Sequence, residues 1–335
     1  MPSATPSAWM PLRTRALAAL LRATSGPVDT ISPARLARTR RRVPLHRPLT
    51  WAIGTPTKGV TTTVREVPVR DEARVRVRVH RPDDVEGALP VVMHFHGGGF
   101  AMGHPTAFDP VCTRVAQVAG AVVVSVGYRM APEHRAPTAV HDCADVTRWV
   151  LAHAAELGAD PDRLALTGDS AGGNLAAAVA QGLVADGVTS LRHLALTYPA
   201  PDLTEREVDL VLEQEDVEVP PHGFPVITPD MLRAFRSLYL GDLDGSDPIV
   251  SPARGELAGL PPTLVQTAEL DPLRPDGEAF AQALRDAGVP VRHTRYRGSP
   301  HGFLSIPGLT AAGHPALEEL AAEMAHHLRP TKEPA

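Results

Sequence analysis

The sequence predicts an α/β fold, in which a mainly parallel β-sheet carries helices on both faces. Short apolar runs rich in β-branched residues alternate with longer segments of helical composition, which is typical of βαβ units. The chain has 335 residues, 43% of them hydrophobic, which is enough for one large core or for a core with a small accessory domain. Because the sheet is predicted to be mainly parallel, we expect catalysis at the carboxyl ends of its strands.

Two half-exposed strands come first in the chain. Val64–Val69 and Val75–Val79 alternate apolar with polar residues, as antiparallel strands at a sheet edge do. The apolar strands that follow are predicted at Val91–Phe95, Ala121–Val126, Leu164–Thr167, Leu194–Tyr198, Thr263–Thr267 and Val291–Tyr296. The helical segments between them are predicted at Thr106–Ala119, Val140–Leu157, Ala171–Val184 and Gly277–Ala287.

Two regions interrupt this alternation. Residues 1–50 hold nine Arg against the single acid Asp29, and apolar residues at helical spacing predict an amphipathic helix there. That segment could be a lid over an active site, a partly ordered basic tail, a membrane-surface helix or a transit peptide. Residues 202–240 are acidic and Pro-rich before the helical run Pro229–Leu240. We assign residues 1–50 and 202–240 to one cap, and residues 51–201 and 241–335 to the core.

Composition and charge exclude several classes of partner. A formal net charge of −5 gives no electrostatic reason to expect nucleic acid or an anionic membrane. Arg40–Arg42 has no aromatic residues interleaved with it, so we interpret it as a solvated surface. No apolar run approaches the roughly 18 residues of a membrane span, so we expect neither stable membrane insertion nor a standard signal peptide. Cys112 and Cys143 are interpreted as reduced core residues of a cytoplasmic protein, although a single bridge stays open.

The stretch Gly168-Asp169-Ser170-Ala171-Gly172 has the pattern G-x-S-x-G between a predicted strand and a predicted helix. A serine on such a turn adopts a strained backbone conformation, and small residues two positions before and after it let the strand and helix pass closely. The helix that follows directs its N–H groups and positive dipole end at the site. Ser170 is therefore the candidate nucleophile.

The run His96-Gly97-Gly98-Gly99-Phe100 follows the predicted strand Val91–Phe95. Consecutive glycines can leave backbone N–H groups exposed, so Gly98 and Gly99, together with Ala171, are candidates for an oxyanion hole. No phosphate-binding pattern surrounds these glycines. His94 and His96 share one strand face in an H-x-H spacing, but a third metal ligand is not obvious, and we predict no metal.

A serine nucleophile needs a histidine base and an acid that orients the base. Asp271 follows the predicted strand Thr263–Thr267, and His301 follows Val291–Tyr296. The chain order serine, aspartate, histidine is that of α/β-hydrolases. Other candidate acids are Asp276 and Glu269, and other candidate bases are His293 and His314.

Five motifs in order resemble the hormone-sensitive-lipase-like α/β-hydrolases, the bacterial family IV esterases, over about residues 60–328. They are HGGGF at His96–Phe100, YRMAPEHRAP at Tyr128–Pro137, GDSAGG at Gly168–Gly173, AELDPLRPDG at Ala268–Gly277 and HGF at His301–Phe303. The resemblance implies an eight-stranded α/β-hydrolase sheet with a helical cap, the triad Ser170, Asp271 and His301, and the oxyanion donors named above. The chain departs from the family at Pro275-Asp276, where Asp-Glu is typical.

The resemblance also implies hydrolysis of small carboxylic esters with short to medium acyl chains, no cofactor, and often a homodimer. Two alternatives stay open: an acyltransferase or cyclase in a biosynthetic pathway that uses the same triad, and a ligand-binding protein that lacks catalysis. His301 argues against the second alternative. The expected pocket residues are chosen from their place near a motif or in the cap, and they are Phe100, Trp9, Met10, Phe224, Phe303 and Leu304.

Overall fold

A computed structural model describes residues 12–24, 33–42, 49–204 and 226–330. In these ranges one sheet has eight strands in the order β1-β2-β4-β3-β5-β6-β7-β8. β2 is antiparallel to β1 and β4, and the remaining neighbours are parallel. The strands are β1 Val60–Pro68, β2 Arg74–Pro82, β3 Leu89–Phe95, β4 Val122–Gly127, β5 Ala159–Asp169, β6 Leu191–Thr197, β7 Thr263–Leu270 and β8 Val291–Pro300. The predicted eight-stranded α/β-hydrolase sheet is confirmed.

Helices cover both faces of this sheet. Successive side chains of a strand point to opposite faces, so each strand contributes residues to both buried layers. In β4, Val122, Val124 and Val126 belong to one buried cluster and Val123 to another. The first cluster includes residues of α5, α6 and α8, and the second includes residues of α4 and α9. The helices are α1 Leu12–Thr24, α2 Pro33–Thr39, α3 Leu49–Ile53, α4 Asp109–Ala119, α5 Thr138–Ala152, α6 Ala171–Ala185, α7 Pro229–Leu240, α8 Arg274–Asp286 and α9 Gly313–His327.

The predicted elements agree with the structure except at some ends. The helix expected from Thr106 begins only at Asp109, because Pro105–Phe108 forms a 3₁₀ turn. α5 stops at Ala152, and a separate 3₁₀ turn follows it. The sequence reasoning missed α9, although Leu317, Leu320, Ala321 and Met324 repeat at helical spacing and are buried.

The described part of the N-terminal region contacts the core. In α1, Thr14 is buried and its hydroxyl donates to the carbonyl of Gly298 at 3.3 Å. In α2, Leu36 belongs to a small apolar cluster with Ala101, Ile227 and Phe235. This cluster joins the N-terminal region to α7 above the Gly97–Gly99 turn.

The prediction that Arg40–Arg42 forms a solvated surface is wrong for Arg40, which contacts the core. Its Nε donates to the carbonyl of Ala101 at 2.8 Å, its Nη1 pairs with Glu133 at 2.7 Å, and its Nη2 donates to the carbonyl of Ala131. Its side chain is 19% exposed. A guanidinium that forms a fork of donors can satisfy several backbone acceptors at once, so it fixes this segment to the core. Its neighbours Arg41 and Arg42 are exposed, as expected.

Cys112 and Cys143 are both buried and free, and they lie in the clusters on opposite faces of the sheet. Burial raises the thiol pKa of both cysteines.

Within the ranges that the structure covers, none of the helices has the length and apolar character needed to cross a bilayer.

Candidate active site

Ser170 stands at the turn between β5 and α6 with φ of 56° and ψ of −121°. This positive φ is unusual for a residue other than glycine and is strained. The flanking glycines allow the tight turn: a Cβ at Gly168 would lie 2.1 Å from the carbonyl oxygen of Gly172, and one at Gly172 would lie 1.9 Å from that of Phe95. No larger side chain fits at these two positions without displacing the backbone.

The loops after β5, β7 and β8 bring Ser170, Asp271 and His301 together in one hydrogen-bonded chain. The His301 Nε2 lies 2.9 Å from the Ser170 Oγ, and its Nδ1 lies 2.6 Å from the Asp271 Oδ2. Asp271 is 1% exposed, and its other carboxylate oxygen accepts the N–H of Leu273 at 2.9 Å. This arrangement can take a proton from the serine hydroxyl and stabilise the imidazolium that results.

The glycine loop, residues 97–99, follows β3 and borders Ser170. Gly98 has φ of 127° and Gly99 has φ of 59°, a region that favours glycine. The carbonyl of Gly98 accepts the N–H groups of Ala101 and Met102 at 3.2 and 2.8 Å, which closes the loop. In the described part of the chain, the N–H groups of Gly98 and Gly99 have no protein acceptor. Ala171 opens α6, and its N–H has no partner within the helix.

Asp169 was not predicted as a site residue. One of its carboxylate oxygens accepts the N–H of Gly97 at 2.8 Å, and the other accepts the hydroxyl of Tyr198 at 3.4 Å. Burial raises the pKa of Asp169 to about 6, and the Gly97 N–H partly offsets this effect. Asp169 directly precedes Ser170, so its hydrogen bond to Gly97 holds the glycine loop next to Ser170. The pattern G-x-S-x-G leaves this position unspecified, so the motif alone gives no signal for it.

His96 shapes the start of the glycine loop. Its Nδ1 lies 2.9 Å from the carbonyl oxygen of Gly97, and its ring stacks on Tyr128 with centroids 4.5 Å apart. The Tyr128 hydroxyl donates to the carbonyl of His96 at 2.7 Å. His94 instead meets the hydroxyl of Ser125 at 3.3 Å. Burial lowers the pKa of His94 to about 3 and that of His96 to about 4, so both rings are neutral at pH 7.

Two cavities meet at Ser170. The first, the Leu273 cavity, is lined by the following residues: Gly99, Phe100, Ser170, Ala171, Ala200, Asp202, Leu203, Thr204, Ile227, Leu232, Phe235, Arg236, Leu273 and Asp276. The second, the His301 cavity, is lined by the following residues: Thr39, Gly97, Gly98, Gly99, Met102, Gly103, Phe108, Asp169, Ser170, Val226, Ile227, Met231, Phe235, His301, Gly302 and Ser305. The two cavities share Gly99, Ile227 and Phe235, so α7 contributes to both.

The expected pocket residues have different outcomes. Phe100 lines the Leu273 cavity and stacks on Tyr239 of α7 with centroids 3.8 Å apart. Phe303 and Leu304 were wrong as pocket residues: they are 0% and 2% exposed, belong to the core cluster and line neither cavity. Their aromatic and apolar surface contacts the α9 side of the sheet instead. The expectations for the remaining three fall outside the described residues, and these are Trp9, Met10 and Phe224.

The other candidate acids and bases have separate positions. Glu269 accepts the N–H of Gly298 at 2.7 Å, and His293 lies 3.0 Å from the hydroxyl of Thr267. His314 is exposed. Asp276, by contrast, lines the Leu273 cavity beside Ser170. The sequence reasoning also missed Leu232 and Phe235 as cavity residues; their helix was predicted, but its position over the glycine loop was not.

One group of described side chains has the composition of a metal site. His193, Glu323 and His327 have potential ligand atoms within 4.8 Å of one another. The ring of His193 stacks on that of His327 with centroids 4.4 Å apart. His193 lies near the start of β6, whereas Ser170 follows the end of β5, so this group is separate from the candidate active site.

Comparisons with known proteins agree with this geometry. The sequence profile of the alpha/beta hydrolase fold matches residues 92–305. The chain is 40% identical to the carboxylesterase NlhH of Mycobacterium tuberculosis over 237 residues, which cover 69% of this chain and 72% of that protein. It is 33% identical to an ethyl acetate hydrolase of Pseudomonas putida over 263 residues, 77% of this chain and 80% of the relative.

Solved structures extend the similarity to nearly the whole chain. A hyperthermophilic esterase from Pyrobaculum calidifontis superposes with a TM-score of 0.80 at 34% identity, over 93% of this chain and 97% of that one. A thermostable esterase from Pseudomonas putida gives a TM-score of 0.81 at 32% identity, over 98% and 100% of the two chains. The chain therefore belongs to the hormone-sensitive-lipase-like esterases of the α/β-hydrolase superfamily and is a carboxylic ester hydrolase.

Proposed function

We propose that the chain hydrolyses esters of short to medium acyl groups through Ser170, His301 and Asp271, with an acyl-enzyme intermediate. The observation that carries this proposal is the hydrogen-bonded chain from Ser170 Oγ through His301 to Asp271. His301 takes the serine proton as Ser170 attacks the ester carbonyl, and then gives that proton to the leaving alcohol. Water repeats the cycle on the acyl-enzyme, while Asp271 orients the imidazole and stabilises its charged form.

The negative charge that develops on the carbonyl oxygen is stabilised by the N–H groups of Gly98, Gly99 and Ala171. This role is supported by their position beside Ser170 and by the lack of a protein acceptor for the two glycine N–H groups among the described residues. The N-terminus of α6 adds its positive dipole end. Removing one such donor typically lowers kcat by about 10²- to 10³-fold.

The alcohol group and the acyl group of the substrate occupy different cavities. The leaving oxygen must receive its proton from His301, so the alcohol group occupies the His301 cavity. The acyl group then occupies the Leu273 cavity, whose walls include Phe100, Leu232 and Leu273. These apolar walls favour the methylene groups of an acyl chain.

The proposal is tested with p-nitrophenyl esters from acetate to palmitate. We expect turnover that falls beyond about eight carbons, because the Leu273 cavity bounds the acyl chain. The Ser170→Ala variant should lose roughly 10⁴-fold or more of kcat/KM while its circular dichroism spectrum stays that of the wild type. Ser237→Ala, an exposed change on α7, is the matched control and should keep full activity.

Two outcomes would count against the proposal. Substantial turnover by folded Ser170→Ala would mean that another group is the nucleophile. Equal turnover of palmitate and butyrate would contradict the acyl-chain limit.

The division into core and cap, the cytoplasmic location and the homodimer stay predictions.

A further inference from the structure

The Leu273 cavity has a carboxyl group on its wall that the reaction does not use. Asp276 lies in the first turn of α8 and lines this cavity together with Asp202 and Arg236. Phe100 and Leu273 provide apolar surface in the same cavity. An acyl group attached to Ser170 would therefore share this cavity with both apolar walls and polar side chains.

The charged groups around Asp276 have partners of their own. Asp202 pairs with Arg254 at 2.9 Å, and it also accepts the N–H of Thr204 at 3.0 Å. The Nε of Arg236 donates to the carbonyl of Leu203 at 2.5 Å. The Asp202 carboxylate and the Arg236 guanidinium are therefore both bound to other groups of the protein.

Asp276 differs from these neighbours. Among the described residues its carboxyl group has neither a hydrogen-bond partner nor an ion pair. Burial, with the nearby carboxylates of Asp202 and Asp271, raises its pKa well above the ordinary value. A partly buried carboxyl group without a partner is unfavourable, and a cation placed next to it removes much of that penalty.

We propose that the Leu273 cavity takes acyl groups that carry an ammonium group on their far end, with Asp276 as the partner of that ammonium. The apolar walls contact the methylene groups, and the ammonium pairs with the carboxylate of Asp276. Asp276 is then a specificity-determining residue. This inference rests on the proposed function, because it concerns the acyl half of the ester.

The test compares matched p-nitrophenyl esters. The pairs are 3-aminopropionate with propionate, 6-aminohexanoate with hexanoate, and 8-aminooctanoate with octanoate. For at least one chain length we expect the wild type to favour the amino ester by about tenfold in kcat/KM. Asp276→Asn, which keeps the shape of the side chain, should lower that preference by about tenfold. The ratio within each pair cancels any indirect effect of the variant on Asp271.

Asp286→Asn is the matched control, because Asp286 is an exposed carboxylate at the other end of the same helix. It should leave the preference unchanged. A wild type without any preference for the amino esters, or an Asp276→Asn variant that keeps it, would overturn the inference. Failure of the wild type to hydrolyse hexanoate would instead count against the proposed function.

A measurement on the wild type keeps the inference testable if Asp276→Asn does not fold. Hexylamine and 1-hexanol have similar size and differ in charge at pH 7. The inference requires hexylamine to be the stronger competitive inhibitor of hexanoate hydrolysis, by about tenfold. Equal inhibition by the two compounds would overturn it.

Discussion

The Ser170 turn, residues 168–172, and helix α7 both border the two cavities, but they are held in place differently. The turn is fixed by backbone contacts: the N–H of Ser170 donates to the carbonyl of Thr197 at 2.9 Å, and two glycines permit the close passage described above. α7 is fixed largely by side-chain packing, with Phe235 in an apolar cluster and Tyr239 stacked on Phe100.

The two regions therefore tolerate different kinds of substitution. Close backbone contacts admit only a few residue types, so the turn that holds Ser170 has a recognisable sequence pattern. Apolar packing can be achieved by many combinations of side chains of similar volume. Helix α7, which lines both cavities, is therefore free to vary, and its residues follow no motif.

The largest effect is expected from a change at Gly99, which lies against Phe235 of α7 and lines both cavities together with Ser170. A Cβ at Gly99 would lie 2.4 Å from the Phe235 ring, and the residue has φ of 59°. We expect Gly99→Ala to lower kcat/KM by roughly 10²- to 10³-fold, because the loop must shift its N–H groups away from the oxyanion. The measurement is steady-state hydrolysis of p-nitrophenyl butyrate.

Gly120→Ala is the matched control for Gly99→Ala. Gly120 has φ of 57°, and a Cβ at this position would have no neighbouring atom within 4 Å, so the change introduces the same backbone strain without the contact. It should lower stability while leaving kcat/KM close to that of the wild type. Equal loss of activity in the two variants would mean that general destabilisation explains the effect.

A second prediction concerns the buried carboxyl group of Asp169, the residue before Ser170. Its pKa of about 6 in the folded protein lies above the ordinary value of 3.8. Between pH 4 and 6 the folded state therefore binds a proton that the unfolded state releases, and stability falls as the pH rises through this range. The loss is about 3 kcal/mol from this group.

Asp169→Asn should remove this pH dependence, since the amide oxygen can still accept the Gly97 N–H. We expect the variant to gain stability relative to the wild type as the pH rises from 4 to 7, measured by urea denaturation at each pH. Asp186→Asn, at an exposed carboxylate, is the control and should follow the wild type. A constant difference between Asp169→Asn and the wild type across this range would contradict the prediction.

The smallest expected effect belongs to the N-terminal region. Arg40 contacts Ala101, Ala131 and Glu133, and its neighbour Thr39 lines the His301 cavity. Arg40→Gln should lower the free energy of unfolding by about 1–2 kcal/mol. It should also raise KM a few-fold for esters with bulky alcohols while kcat changes little, because the reacting groups are untouched.

The exposed residue Arg41 provides the control for Arg40, since Arg41→Gln makes the same change without these contacts. Thermal denaturation and KM for an ester with a bulky alcohol are the measurements. A large loss of kcat in Arg40→Gln would show that the N-terminal region supports the chemistry as well as the cavity.

The same distinction explains what could be predicted from the sequence. The buried strands were found because each is an apolar run between turn residues, and Ser170 was found because its turn requires glycines. Asp169 was not predicted at the site, and Asp276 was predicted only as another candidate acid, not as a residue of the cavity wall. Their contacts join segments that are distant in the chain, and a carboxylate at either position has no local pattern that separates it from a surface residue.

Phe303 and Leu304 were misplaced for a related reason. They adjoin His301 in the chain, but a short 3₁₀ turn after Gly302 directs them into the core. Proximity to a catalytic motif therefore says little about which side of the loop a neighbouring side chain occupies. Arg40 differs again: composition describes a cluster of charges, but only tertiary structure shows which of them has backbone acceptors nearby.

The parallel pairing of β3 with β5 places Phe95 opposite Gly168. The glycine loop and Ser170 thus face each other through strand register, whatever the length of the chain between them. One residue added within β5 would move Ser170 out of reach of the glycine loop. Length variation among relatives should therefore concentrate outside these two strands.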